Sequence, residues 1–335
     1  MKILLFSEGK NMFQRSGVGK ALQLQQEALK LAGVDYTLNP EDNYDIVHIN
    51  TIGFTSEKIL KEAKKKGKKI IVHTHTTYED FRNSFIFSNQ LAFFIKKRLI
   101  KMYSNADFLI SPTKYTQNLV RSYGIKTKSA VVSNGVDTNK FKYNAKSAIK
   151  FKEKYKLNKP LILSVGLPFE RKGILDFYKL AKKLPQFQFI WLGAKMKIVP
   201  KKIRKILNEK SIKNLLFPGY IPTEDLINAY SAADIFLFPS YEENEGIVVL
   251  EALSSQTPLI IRDIPVYKDW LTNEVNCLKS SSLEDFEKNI FKIINKEIDV
   301  EKLKENERIV ALERDLKVIG EKLKNIYGDL YAEKV

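Results

Sequence analysis

One cysteine, Cys277, stands in 335 residues. A lone thiol excludes a disulfide framework and argues against a structural zinc site. No apolar run approaches the length that spans a bilayer, so no integral membrane segment is expected. The apolar opening Met1–Phe6 meets Ser7, Glu8 and Lys10 at once, too soon for a signal-peptide core, and a cytosolic protein is expected. There is no sequence repeat, no low-complexity tract beyond short lysine clusters, and no Asp-x-Asp motif.

Acidic residues are scarce in one half only. Residues 1–158 carry 28 Lys and Arg against 13 Asp and Glu, whereas 159–335 carry 28 against 26. Basic residues are evenly spread, so lysine-rich composition alone does not explain the imbalance. The first half holds +15 of the +17 net charge and is expected to be drawn to a polyanion. Anionic lipid, nucleic acid or an acidic partner would each answer to it; aromatic-basic stacking motifs of the nucleic-acid type are missing, so no nucleic acid is expected, and an anionic membrane surface is the expected partner.

What is present is a globular chain, 44% apolar and long enough for two domains. Short β-rich runs at 2–6, 45–50, 69–75, 107–111 and 130–133 alternate with helical patterns near 18–32, 56–66, 88–104 and 114–123. The second half repeats the scheme. Its strands are expected at 160–166, 187–193, 214–217, 234–238 and 258–261, with helices near 173–184, 199–209, 223–231, 246–255 and 283–295. Apolar runs separated by helices indicate parallel sheets covered on both faces, an α/β fold of two doubly wound domains. The expected division is 1–158, 159–305 and a charged C-terminal helix, 306–335, that packs back on the first domain. In such folds ligands bind at the carboxyl ends of the strands, here at one central cleft.

The segment from Pro239 to Leu253 reads as the end of a buried strand, a polar turn, and a helix beginning near Gly246. A helix N-terminus presents backbone N–H groups to phosphate oxygens. Glu243 and Glu251 flank that seat, one placed for a sugar hydroxyl and the other for a ribose hydroxyl, which suits a nucleotide-sugar. Arg171-Lys172-Gly173 follows strand 160–166 and offers two cations for a diphosphate. Gly17-Val18-Gly19 opens the first helix without the third glycine of the dinucleotide fingerprint. His48, His73 and His75 fall on adjacent strands; His75 sits at a carboxyl end, and no fourth ligand accompanies them for a metal. Phe85–Lys101 mixes aromatics with a basic run, and Phe94, Ile95, Leu99 and Ile100 are expected to share a face ringed by Lys96, Lys97, Arg98 and Lys101. With the cluster Lys64, Lys65 and Lys66, that segment describes an interfacial helix.

These residues resemble the retaining GT-B glycosyltransferases of family 4, in the subgroup of bacterial diacylglycerol glycolipid glycosyltransferases. Ser16–Gly19, Asp45–His48, Glu79–Ser84, Ala106–Pro112, Ser133–Asp137, Arg171–Gly173, Phe217–Tyr220, the Glu243/Glu251 block and Arg262–Tyr267 carry the likeness. The resemblance implies a UDP-hexose donor, a glycolipid acceptor such as α-glucosyl-diacylglycerol, no essential cofactor or metal, and attachment to the inner face of the cell membrane. It implies that Glu243 holds the hexose, Glu251 the ribose, Lys172 and Arg171 the diphosphate, and Gly246, Ile247 and Val248 the sugar and phosphates. Gly17, Gly19 and Tyr220 would join the donor site, with His75 near the anomeric centre. Two positions depart from the family pattern: Leu167 stands where arginine is usual, and the turn reads Glu243-Asn244-Glu245-Gly246.

Overall fold

The computed structural model describes residues 1–9, 17–84, 87–194 and 199–333. Ser16 of the glycine loop, and Phe85 and Ile86 of the aromatic-basic segment, lie outside the described residues. The chain forms two units. Unit 1 comprises Met1–Arg82, Phe87–Gly135 and Arg314–Val335; unit 2 comprises Asn83–Ile86 and Val136–Glu313.

Unit 1 contains β1 (Lys2–Phe6), α1 (Gly17–Leu31), β2 (Asp35–Thr37), β3 (Ile46–Ile49), α2 (Phe54–Lys65) and β4 (Lys69–His73). It continues with α3 (Tyr78–Phe81), α4 (Ser88–Ser104), β5 (Phe108–Ser111), α5 (Lys114–Ser122) and β6 (Ser129–Val131). The six strands are parallel in the order β2-β1-β3-β4-β5-β6. Central strands such as β3 are buried at every position, which is why they read as unbroken apolar runs.

Unit 2 begins with α6 (Ala145–Lys154), β7 (Leu161–Val165), α7 (Ile174–Lys183), β8 (Gln188–Leu192), α8 (Lys201–Leu207) and β9 (Leu215–Gly219). There follow α9 (Thr223–Ala232), β10 (Ile235–Phe238), α10 (Ile247–Ser254), β11 (Leu259–Arg262), β12 (Leu278–Ser280), α11 (Leu283–Ile294) and α12 (Val300–Leu312). Its order, β12-β11-β10-β7-β8-β9, reverses direction between β7 and β10. Diverging crossovers leave a crevice at the carboxyl ends of those two strands. The residues that follow β7 and β10 are Arg171–Gly173 and Pro239–Gly246.

The division differs from the expected 158/159. α6 packs on α9 and buries Phe151, so the segment after Gly135 belongs to unit 2. The charged tail is two helices rather than one. α12 packs on α10 in unit 2, and the chain then returns to unit 1 as α13 (Leu316–Ala332), capped by Asp315. α13 lies against α1, burying Leu316, Ile319, Leu323, Tyr327 and Leu330. Deleting the Leu323 side chain beyond Cβ (Leu323→Ala) is expected to lower the stability of unit 1 by about 3 kcal/mol. Chemical unfolding of the two proteins measures the difference, and an unchanged midpoint would show that this helix contributes little.

Candidate active site

The turn after β10 carries Glu242, Glu243 and Glu245, and two arginines hold it. Arg171, in the 3-10 turn Glu170–Lys172, is 8% exposed. Its Nη1 donates to the carbonyl of Glu242 at 2.5 Å and its Nε to Ser84 Oγ at 3.0 Å; its own carbonyl accepts from the Tyr241 amide at 2.8 Å. Arg262, at the end of β11, donates through Nε to the Pro239 carbonyl at 3.1 Å and pairs with Asp176 at 2.6 Å. Its guanidinium stacks 3.9 Å above the Tyr241 ring, whose hydroxyl donates to Asp176 at 2.5 Å. The chains of β7 and β10 meet closely here. A Cβ at Gly173, where φ is +77°, would lie 2.2 Å from the Pro239 carbonyl oxygen, so only glycine fits.

Glu243 hangs from this turn, 5% exposed. Lys172 Nζ reaches its Oε1 at 2.5 Å, Ser240 Oγ donates to the same oxygen at 2.6 Å, and Arg171 Nη1 stands 3.9 Å away. Burial pushes this carboxyl upward, but the Lys172 and Arg171 charges and the two hydrogen bonds outweigh it and hold it below its ordinary range. Three residues on, Gly246 begins α10 with φ +93°. The first amides to turn back are Val249 and Leu250, both to the Gly246 carbonyl. The amides of Ile247 and Val248 therefore have no acceptor within the helix and mark its positive end. Glu251, on the next turn and 2% exposed, accepts from Tyr230 Oη at 3.0 Å; that hydroxyl is also 3.2 Å from the Val248 carbonyl. Tyr220 stands exposed just beyond β9.

The structure thus brings Arg171, Lys172, Glu243, Gly246, Ile247, Val248 and Glu251 to the switch-point edge of one sheet. It also changes the reading of Arg171, whose guanidinium is built into the turn. Asp176, Tyr230, Ser240 and Tyr241 were not singled out from sequence. The segment Arg262–Tyr267 carried the family likeness without a role, and its first residue proves to brace the turn.

In unit 1, Gly17 and Gly19 form the first turn of α1, at the carboxyl side of β1, and a side chain at Gly17 would meet nothing within 4 Å. His75 lies two residues beyond β4 rather than within it. Its Nε2 is 2.9 Å from Asn50 Oδ1; the acceptor is a carbonyl oxygen, so Nε2 carries the proton. Asn50 Nδ2 donates to Gln25 Oε1 at 2.9 Å and Gln25 Nε2 to His48 Nδ1 at 2.8 Å, and the Tyr327 hydroxyl lies 2.7 Å from the same nitrogen. The imidazoles of His48, His73 and His75 stack face to face, with centroids 5.4 and 3.8 Å apart. Among the described residues no group of three His, Cys, Asp or Glu side chains is placed to hold a metal ion.

The aromatic-basic helix α4 is arranged differently from expectation. Leu99 is buried and Ile95 packs on the unit 1 core, whereas Phe94 points outward, so the two sets do not share a face. Phe87, Leu91 and Phe94, at helical spacing, form an exposed apolar stripe, with Phe93 and Phe54 also exposed. Arg98 donates to the carbonyls of Ile52 and Gly53 and pairs with Glu57, and Lys96 lies over the rings of Tyr78 and Tyr123. Both are committed to their own fold. Lys97, over the Phe93 ring, and Lys101, paired with Glu57, remain largely outward, as do Lys64, Lys65 and Lys66. Among the described residues no helix is long and apolar enough to cross a membrane.

Two parallel sheets and a switch-point turn bearing paired carboxylates and a lysine define a nucleotide-sugar-type glycosyltransferase. Comparisons with known proteins agree. The family described as "Glycosyl transferases group 1" matches residues 145–310, and "Glycosyltransferase Family 4" matches residues 24–140. The chain is 40% identical, over 100% of both chains, to the processive diacylglycerol alpha-glucosyltransferase of Acholeplasma laidlawii. It is 27% identical to the alpha-galactosylglucosyldiacylglycerol synthase of Streptococcus pneumoniae, over 87% of this chain and 78% of that one. The Anabaena protein HepE, solved with UDP-glucose, superposes with a TM-score of 0.80 at 15% identity, covering 98% of this chain and 100% of that one. The chain therefore belongs to the GT-B glycosyltransferases of family 4, among the diacylglycerol glycosyltransferases.

The histidine cluster has a measurable consequence. Burial lowers His48 and His75 to about 3, and His73 also falls well below 6.5, so all three are neutral in the folded chain. Unfolded histidines protonate below about 6.5, so the unfolded state takes up more protons as pH falls. The stability they contribute is complete above pH 6.5 and declines towards pH 3. Unfolding midpoints are expected to drop between pH 6.5 and 5, by roughly 1 kcal/mol per pH unit for each histidine. A flat profile across that window would show that the cluster is not closed to protons.

Proposed function

We propose that this enzyme transfers glucose from UDP-glucose, with retention at the anomeric carbon, to a membrane glycolipid of the α-glucosyl-diacylglycerol class, giving a diglycosyl lipid. The observation that carries this reading is the turn in unit 2 and the helix it opens, where a cation, a helix N-terminus and two buried carboxylates come together. Glu251 would take the ribose hydroxyls, the amides of Ile247 and Val248 with Lys172 the diphosphate, and Glu243 the hexose hydroxyls. Tyr220 and the charge of Arg171 would support the donor.

In the reaction the bond between the anomeric carbon and the phosphate oxygen breaks while a bond to the acceptor hydroxyl forms on the same face. Negative charge grows on the diphosphate, where Lys172 and the amides of α10 lower its energy. The acceptor proton passes to the departing phosphate oxygen, so no dedicated base is needed. His75, neutral and oriented by Asn50, is suited to act as a polar group rather than as a charged acid. The full-length relative named as a processive diacylglycerol alpha-glucosyltransferase supports the lipid acceptor and the glucose donor.

Mixing purified enzyme with UDP-glucose or UDP-galactose and lipid vesicles, followed by mass spectrometry, tests the assignment. Glucosylated product is expected from UDP-glucose. Galactosylated product alone would change the donor, and product formed only on soluble sugars would remove the lipid. Lys172→Ala is expected to lower turnover at least a hundredfold with folding intact, and Glu251→Ala to weaken UDP binding measured by calorimetry. Near-wild-type values for both would take these residues out of the site.

The basic unit 1 would dock on the anionic inner face of the cell membrane through α4. Lys97, Lys101 and Lys64–Lys66 would approach headgroups, and Phe87, Leu91 and Phe94 would enter the boundary below them. Flotation with vesicles is expected to show binding that rises with anionic lipid and falls with salt. Replacing Phe87 and Phe94 by serine is expected to abolish it. Equal binding to neutral vesicles would defeat electrostatic docking.

A further inference from the structure

Two groups assigned to adjacent parts of one donor, the diphosphate and the hexose, are bonded to each other. Lys172 Nζ lies 2.5 Å from Glu243 Oε1, and the side chains are 18% and 6% exposed. A diphosphate that engages Lys172 draws the ammonium towards itself and away from the carboxylate. Glu243 then keeps Ser240 Oγ at 2.6 Å and the more distant Arg171 charge at 3.9 Å. Removing the partner of a buried carboxylate is costly, because the charge cannot recover its hydration. A hexose on the diphosphate supplies hydroxyl donors to the same oxygens. A bare nucleotide diphosphate supplies none.

We propose that the Lys172–Glu243 ion pair is a specificity device that makes the site favour the complete nucleotide-sugar over the nucleotide diphosphate left after transfer. The inference rests on the proposed placement of hexose and diphosphate. While the sugar is attached, the ligand satisfies both members of the pair. Once the hexose has moved to the acceptor, Glu243 loses its donors and recaptures Lys172. That competition loosens the diphosphate and promotes product release. The neighbouring braces make it effective. The turn held by Arg171 and Arg262 prevents Glu243 from swinging into water, so it has no cheaper way to be solvated.

Calorimetry of UDP and UDP-glucose with the full chain tests this, using wild type, Glu243→Gln, Lys172→Ala and Glu251→Ala. Glu243→Gln removes the competitor for Lys172 and is expected to tighten UDP by about tenfold, consistent with an ion pair lost from a buried site. The preference for UDP-glucose over UDP should collapse towards unity. Glu243→Asp retracts the carboxylate without removing its charge. It should shift UDP affinity in the same direction by less, and it carries the test if the glutamine variant does not fold. A general structural defect would weaken both ligands together. Unchanged or weaker UDP binding in the folded variant would overturn the inference, while a loss of UDP affinity in Lys172→Ala would leave the donor site standing. UDP affinity untouched by both Lys172→Ala and Glu251→Ala would instead refute the donor site itself.

Discussion

Glu243 is buried and yet ionised, and most of the architecture of unit 2 serves that combination. A carboxylate out of water is stable only where donors and cations replace its hydration. Lys172 supplies one at 2.5 Å, Ser240 another at 2.6 Å, and Arg171 adds its charge from the turn beneath. Placing them together requires the chain after β7 to touch the chain after β10, which the reversal of strand order permits. Gly173 allows the contact, because any side chain there would strike the Pro239 carbonyl. Arg262 and Asp176 close the arrangement from β11 and α7. The turn is thus anchored from three strand ends, and the position of one acid follows from the order of the whole sheet.

Unit 1 faces the same problem and answers it with neutrality. Its polar interior is a line of amides, imidazoles and one phenol running from Tyr327 through His48, Gln25 and Asn50 to His75. Every hydrogen bond in that line joins uncharged groups, so no counter-ion has to be buried with them. The line has a direction as well. The Asn50 carbonyl fixes the proton of His75 on Nε2, while His48 receives at Nδ1. Because its far end is on α13, the final helix contributes to the state of a residue near the middle of the sheet, and not only to packing.

The strand and helix pattern was legible because buried parallel strands and their covering helices leave apolar runs of characteristic length. Two edge strands escaped notice: β2 and β12 have three residues each and too few buried positions to form a run. α6 was hidden in a lysine-rich stretch, since only Phe151 among its residues is buried. The tail read as continuous because its charges do not reveal the break before Asp315, which caps the next helix. At the site, Glu243, Glu251 and Lys172 could be found because each sits at a fixed distance from a strand end. Asp176, Tyr230 and Arg262 could not. Their partners lie 86 residues apart for the Arg262–Asp176 pair and 21 for Tyr230–Glu251, and such pairings exist only once the sheet has formed.

Net charge describes unit 1 as a whole and is a poor guide to individual side chains. Lys96 and Arg98 belong to the basic run of α4, yet one rests on two tyrosine rings and the other ties the loop at Ile52 and Gly53 to Glu57. Side chains held this way add to the field around the unit without being able to grip a headgroup. A field of that kind attracts anions over about 10 Å at moderate salt and cannot by itself choose an orientation. Orientation calls for a short-range contact. At α4 and its N-cap, the outward side chains of Phe87, Leu91, Phe93 and Phe94 are the apolar groups that could supply such a contact. In the docking proposed above, long-range attraction and short-range insertion would reside in different residues, and each could be altered without disturbing the other.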